Sequence, residues 1–190
     1  MNILFLGYCD KELIDFINRK DTVYWTDQKI DNWDCLPVQF IISYGYRFKV
    51  PEGVTRVIPC INLHISYLPW NRGADPNFWS FKENTPKGVT IHKMDKGIDT
   101  GDILLQELVE LSDEDTFRDT YALLHYKIRS LFVDNWDDLR ENKIKGWRQS
   151  GGSYHRSRDK NEFIESFYID FSPALGLHSA WLDIPIKEII

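Results

Sequence analysis

Asn62 and His64 stand two positions apart in INLHISYLPWNRGADPNFW (61–79), and Asp99 follows in KGIDTGDIL (96–104). An amide N–H and an imidazole can both hydrogen-bond the oxygen of a carbonyl under attack. A nearby carboxylate can keep the imidazole charged, or take the proton of an attacking amine directly or through water. No Ser or Cys sits in a G-x-S-x-G elbow, and Cys60 falls inside an apolar run that reads as core. The trio therefore suits acyl transfer straight to an amine better than a covalent enzyme intermediate. His64 and His92 can approach each other, but nothing in the chain has metal-ligand spacing. Each residue alone has a plainer reading, as a packed histidine or a turn-forming Asn or Asp. Spacing leaves Asp95, Asp99 and Asp102 all open as the carboxylate; Asp99 sits mid-turn, where Thr100 and Gly101 allow a tight backbone path.

The elements that must position these residues alternate in kind. NILFLG (2–7) reads as a buried strand, and DKELIDFINRK (10–20) as a helix with Leu13, Ile14 and Ile17 on one face. TVYWTD (22–27), FIISYGY (40–46) and RVIPCINLH (56–64) follow as strands, with Pro59 suggesting an edge or a distortion in the last. PNFWSFKEN (76–84) starts a helix at Pro76, and GVTIHKMD (88–95) and GDILLQELVEL (101–111) are strands joined by a turn. Ser112 is expected to cap a helix over 113–140, with Leu123, Tyr126, Ile128 and Leu131 near one side. This strand–helix rhythm predicts an α/β fold with an open sheet. In such sheets ligands bind beyond the carboxyl ends of the strands, where Asn62 and His64 fall. Gly7 alone is no dinucleotide fingerprint. Residues 146–163 read as a glycine-rich connection, and FSPALGLHSAWLDIPIKEII (171–190) as short apolar pieces around Pro173 and Pro185.

The 190 residues carry a net charge of -6, which argues against nucleic acid as a partner because phosphate contacts need clustered Lys and Arg. Cys9, Cys35 and Cys60, odd in number and widely spaced, fit neither a disulfide framework nor a zinc site, so they read as reduced and cytoplasmic. There is no basic leader and no apolar run of membrane-spanning length. The expected organisation is one domain, 1–150 forming the catalytic body and 151–190 an extension packed on it. The apolar tail leaves a homodimer open.

Asn-x-His, the loop from Pro69 to Gly73, Gly-x-Thr at 88–90 and Asp-Thr-Gly at 99–101 occur in order across residues 61–104. This arrangement resembles the formyltransferases that use N10-formyltetrahydrofolate, which include methionyl-tRNA formyltransferase, glycinamide ribonucleotide transformylase and the sugar N-formyltransferases. The resemblance implies Asn62, His64 and Asp99 as the catalytic trio and so chooses among the three acids. IISYGYRFKVP (41–51) is similar to the stretch whose backbone lines the family's pterin site, which implies Tyr44 and Gly45 as cofactor contacts. Arg72 and Gly73 lie in a loop like the one bounding the family's active site, implying contact with the folate tail or a substrate phosphate. Trp70, Phe78 and Trp79 read as core and pocket walls, and His92 as structural. GGSYHRSRDK (151–160) and AWLDIPIKEI (180–189) are similar to pieces of the small bacterial sugar formyltransferases. The implied fold is a shortened Rossmann-like body, its open, mostly parallel sheet flanked by helices, with a small C-terminal extension. Only 61 residues precede Asn62, which implies that a strand–helix unit of the front half is missing or reduced. The implied reaction formylates the primary amine of a nucleotide-linked deoxyamino sugar, as in lipopolysaccharide O-antigen synthesis, with no metal. Other small amines, such as hydroxyornithine of a siderophore, stay open as acceptors, as does a non-catalytic relative that binds folate or a nucleotide sugar.

Overall fold

The computed structural model describes residues 1–34, 36–160, 162–163 and 180–190, with the backbone alone at Ala180 and Trp181. Cys35 and the tail around Pro173 lie outside the described residues. Six strands form one sheet: β1 (Asn2–Gly7), β2 (Thr22–Thr26), β3 (Phe40–Tyr44), β4 (Cys60–His64), β6 (Gly88–Lys93) and β7 (Ile103–Leu108), in the order β2-β1-β3-β4-β6-β7. The first three pairings are parallel and the last two antiparallel. The chain runs from β1 through α1 (Lys11–Ile17) to β2 on one side, then returns to β3 on the other side of β1. That reversal opens a crevice at the carboxyl ends of β1 and β3, the place where open α/β sheets take ligands. Pro59 marks neither an edge nor a distortion: β4 begins just after it and lies between β3 and β6.

Alternation along the strands sorts side chains onto two faces. Ile3, Phe5, Phe40, Ile42, Ile61, Leu63, Val89 and Ile91 face one layer with Leu13 and Ile17 of α1 and the long helix α4 (Phe117–Arg140). Leu4, Leu6, Ile41 and Cys60 face the other, covered by Ile30, Trp33, Leu36 and Val38 from the irregular segment between β2 and β3 and by Val54 of α2 (Glu52–Thr55). Among the described residues, no helix joins β2 to β3.

Helix α4 begins later than Ser112. Thr116 is its N-cap, closing a reciprocal box with Asp119, while Ser112 accepts from the Glu114 N–H in the preceding turn. Its buried stripe is Phe117, Thr120, Leu124, Ile128, Phe132, Trp136 and Leu139, a three–four spacing that leaves Leu123 and Tyr126 exposed. Helix α3 (Pro76–Lys82) packs Phe78 and Phe81 against Phe117, and Ile186 and Ile189 close that second cluster. Two short strands, β5 (Arg72–Gly73) and β8 (Tyr154–His155), pair in parallel beside the main sheet.

Asp21 precedes β2, and its carboxylate accepts two bonds from the Arg140 guanidinium, at 2.7 and 2.6 Å, and one from the Met1 ammonium. The Arg140 fork lowers its pKa despite burial. A carboxyl depressed in the folded state stabilises above its unfolded pKa and loses that contribution as pH falls through its folded value. Arg140→Ala should cost about 1–3 kcal/mol in urea melts near neutral pH. The difference from wild type should shrink below about pH 4, where the unfolded chain takes up the proton.

Candidate active site

The site grows from strand register. Ser43, Asn62 and His92 are direct partners across β3, β4 and β6, so their side chains form one polar row. His64, two residues beyond Asn62, shares its face. On this face the apolar layer of Leu4, Ile41 and Cys60 gives way to polar groups at the strand ends.

Asp99 comes down on the row from the loop between β6 and β7. Its φ is 54°, in the left-handed region that Asp and Asn tolerate best among side-chain-bearing residues. The loop is tied by Asp95, which accepts from the Gly97 N–H at 2.9 Å and the Thr100 hydroxyl at 2.6 Å. Gln149 donates to the Asp99 carbonyl at 2.9 Å and the Gly101 carbonyl at 2.7 Å. A Cβ at Gly101 would lie 1.9 Å from the Lys93 carbonyl oxygen, so the return path has room for glycine alone.

The Asp99 carboxylate accepts from Asn62 Nδ2 at 3.0 Å and from the Gly73 N–H at 2.8 Å. His64 Nδ1 is 3.7 Å and His92 Nε2 3.3 Å from its oxygens. Burial works to raise its pKa, but the neighbouring imidazoles and the Gly73 N–H outweigh it and hold the carboxyl well below the usual range. Asp99 is therefore ionised at neutral pH. A carboxylate only accepts, so the Asn62 atom facing it is the amide nitrogen.

His64 is 7% exposed, and its Nε2–H donates to the Asn71 carbonyl at 3.2 Å, leaving Nδ1 for the cavity side. Burial lowers its pKa, against the raising effect of Asp99. The protonated imidazole that the sequence chemistry invites is thus not the resting form. His92 donates from Nδ1 to the Lys93 carbonyl at 2.7 Å, which leaves its Nε2 to face Asn62 Nδ2 at 3.2 Å.

Asn71, fully buried with φ 58°, fixes the carbonyl that orients His64. Its N–H donates to Ser153 Oγ at 2.9 Å, the Ser153 hydroxyl donates to Asn71 Oδ1 at 3.1 Å, and its amide donates to Thr85 at 2.7 Å. The β5–β8 pairing likewise holds Gly73 against Asp99. A Cβ there would meet the His155 carbonyl oxygen at 2.2 Å, and φ is 88°.

Asn62, His64 and Asp99 line a cavity of about 750 Å³ with Tyr44, Gly45 and Gly73, within the range of about 300–1,000 Å³ usual for ligand sites. Arg72 is not on the wall; its guanidinium donates to the Gly151 carbonyl at 2.6 Å and the Ser153 carbonyl at 3.4 Å. Of the aromatic trio read as core or wall, Phe78 is core, Trp79 stacks on His155 at 4.0 Å, and Trp70 is 38% exposed. Reading the sequence left out Tyr8, Tyr121, His125, Tyr154 and His155, which also line the cavity. Tyr121 and His125 are four apart on α4, a polar pair beside its buried stripe, and that spacing was the available signal. The Tyr44 hydroxyl bonds His125 Nδ1. Among the described residues, no group of three or more His, Cys, Asp or Glu is placed to hold a metal ion, and no helix is long and apolar enough to cross a membrane.

Residues 20–135 match the family described as formyl transferase. A methionyl-tRNA formyltransferase of Thermodesulfovibrio yellowstonii is 33% identical over 128 residues, covering 66% of this chain and 42% of that one. A dTDP-4-amino-4,6-dideoxyglucose formyltransferase of Mycobacterium bovis is 29% identical over 101 residues, 53% of this chain and 43% of that one. The chain thus spans less than half the length of these curated relatives. Among solved structures, the formyltransferase PseJ from Anoxybacillus kamchatkensis, in complex with UDP-4,6-dideoxy-4-formamido-L-AltNAc and tetrahydrofolate, is 41% identical. Its TM-score is 0.87, and the likeness covers 100% of this chain and 98% of that one. A 4-N formyltransferase from Francisella tularensis is 25% identical, with a TM-score of 0.77 over 85% of this chain and 78% of that one.

Two outcomes follow from the geometry. By imidazole NMR, His64 should titrate below the ordinary value of about 6.5, and Asp99→Asn should lower it further by removing the charge that raises it. Ser153→Ala leaves the Asn71 N–H without its partner and should cost about 1–3 kcal/mol in denaturant melts.

Proposed function

The chain belongs to the formyl transferase family, and from that premise we propose that it passes the formyl group of N10-formyltetrahydrofolate to a primary amine. The acceptor we propose is the 4-amine of a UDP-linked dideoxy amino sugar. The observation that carries this reading is the cluster of Asn62, His64 and ionised Asp99 on the wall of a ligand-sized cavity. It is supported by the whole-length likeness to a formyltransferase that holds such a sugar product and tetrahydrofolate. That relative is of matching length, so a short front half is compatible with folate use. Among the described residues, Ser43 of the polar row makes no hydrogen bond to a base, and the Cys60 thiol bonds the Ile58 carbonyl within the core, so attack by the amine on the formyl carbon is direct.

A sugar amine reaches the site largely as an ammonium ion. Neutral His64 takes a proton from it at Nδ1, the nitrogen left free by the bond to Asn71. This one transfer creates both the nucleophilic amine and a charged donor, and Asp99 at 3.7 Å stabilises the new imidazolium. As the amine adds to the formyl carbon, His64 Nδ1–H and an Asn62 amide hydrogen bond the developing oxyanion. Both Asn62 hydrogens are otherwise engaged, by Asp99 and by His92, so the oxyanion draws one of them from His92. Asp99 receives the second amine proton and returns it to the departing N10, which leaves as the neutral secondary amine of tetrahydrofolate, and His64 then gives its proton to solvent and returns to the resting form. Asp99 stays close to His64 and Asn62 throughout, which makes it a positioning group as well as a base.

A panel of UDP- and dTDP-linked amino sugars, incubated with N10-formyltetrahydrofolate and the protein, should yield one acceptor heavier by a formyl group in mass spectrometry. His64→Ala and Asp99→Asn should each lower kcat/KM about 100-fold or more, with circular dichroism unchanged. Near-normal turnover in either variant would sink the residue assignment, and no formylated sugar at all would sink the acceptor class.

A further inference from the structure

The main sheet has two edges, and they are finished differently. At β7, Ile103 exchanges backbone bonds with Trp147 at 2.9 and 3.0 Å, so a further segment lies along the start of that strand. Farther along, Glu107 is tied to Lys127 of α4 at 2.7 Å, and charges on an edge discourage another strand. β2 has neither device. Its residues, TVYWT, hold no charge and no proline, and their register with β1 runs without a shift. Tyr24 is 47% exposed on one face of the sheet and Trp25 41% exposed on the other.

The backbone of β2 shows which groups are left over. The Thr22 N–H donates to the Met1 carbonyl, so Thr22, Tyr24 and Thr26 turn their peptide groups towards β1, and Val23 and Trp25 turn theirs outwards. The Val23 N–H is already taken by Asn18 Oδ1 at 3.0 Å. The Val23 carbonyl and both backbone groups of Trp25 have no partner among the described residues, nor has the Asp27 N–H just past the strand. An outward row of unpaired groups is a template for a further strand.

We propose that this edge docks the β2 edge of a second copy of the chain, the two strands running antiparallel about a two-fold axis at Trp25. In that register each Trp25 exchanges both of its backbone bonds with the other Trp25. Each Asp27 N–H donates to the Val23 carbonyl of the other copy, and Asn18 closes the ladder at its end. Every outward group of the strand is then satisfied. The Trp25 rings meet on one face, each braced by its indole bond to the Gly7 carbonyl at 3.1 Å, and Tyr24 lies against Thr26 on the other. Charge fits as well. Arg19 and Lys20 lead into β2, where Asp21 is neutralised by Arg140 and Met1, and Asp27 leads out of it. Antiparallel pairing sets the basic start of each strand beside the acidic end of the other. No residue of β2 lines the cavity of the candidate site.

The test is sedimentation equilibrium over about 1–500 μM, where a modest interface shows its association. The mass should rise with concentration from that of one chain towards that of two. Asp27→Pro removes an outward N–H and leaves the side chains of the strand alone; losing both symmetry-related bonds should weaken association about tenfold or more. Val23 faces Asp27 of the other copy, so V23K should associate about tenfold more tightly than V23E at about 50 mM salt, and the gap should shrink at about 300 mM. Circular dichroism melts check that each variant is folded, and should the Val23 variants unfold, Asp27→Pro decides alone. A chain that stays monomeric across the range overturns the proposal. So does a dimer that Asp27→Pro leaves unchanged, which would assign the contact to another face. Folded V23K and V23E of equal affinity would overturn the register.

Discussion

Everything at the site hangs on keeping one buried carboxylate charged. Asp99 would be driven towards its neutral form by burial if its oxygens were left bare. They are not bare: an amide, a backbone N–H and two imidazoles surround them. The amide donor comes from β4 and the N–H donor from β5, and the imidazoles beside them come from β4 and β6. The sheet must therefore be in register, and the β6–β7 loop must turn through a left-handed residue, before the charge is tolerable. The same partners that stabilise the carboxylate are the groups a reaction at this place would use. Structural and chemical demands are met by a single set of contacts.

The second tier of support is less local. The carbonyl that sets the His64 tautomer belongs to Asn71, and Asn71 is held by Ser153. The loop that carries Asp99 is held by Gln149. The N–H that faces Asp99 belongs to Gly73, held in place by the β5–β8 pairing. A segment that reads from its sequence as mere glycine-rich connection thus anchors three separate walls of the cavity. Gly151 and Gly152 adopt positive φ there, which lets the chain pass close to Pro69 and Arg72.

Much of the fold was legible because its signals are local. β1, β2, β3 and β6 announce themselves as short β-branched or aromatic runs ended by glycine or charge, and the observed strands agree within a few residues. Asn62, His64 and Asp99 were legible as a set through a resemblance, whereas spacing alone could not separate Asp99 from Asp95 or Asp102. What stayed hidden depends on register and packing. His92 looks like one more residue of a strand until its partner across the ladder is known to be Asn62. Arg72 looks free until the carbonyls of Gly151 and Ser153 are brought to it. The start of α4 was misplaced because Ser112 and Thr116 are both fair caps, and only the reciprocal bonds of Thr116 with Asp119 decide between them. Its face was misjudged because Leu123 and Tyr126 are hydrophobic and yet exposed.

The clamp between Asn71 and Ser153 joins residues 82 positions apart. During synthesis on the ribosome, the strands and the trio itself emerge well before this partner does. A nascent chain can pair its sheet and bury its core while the His64 tautomer and the Asp99 loop remain unset. Competence for ligands is then a late event, separated in time from compaction. A half-made chain would resemble the finished one by its secondary structure and differ from it at the His64 imidazole and the Asp99 loop.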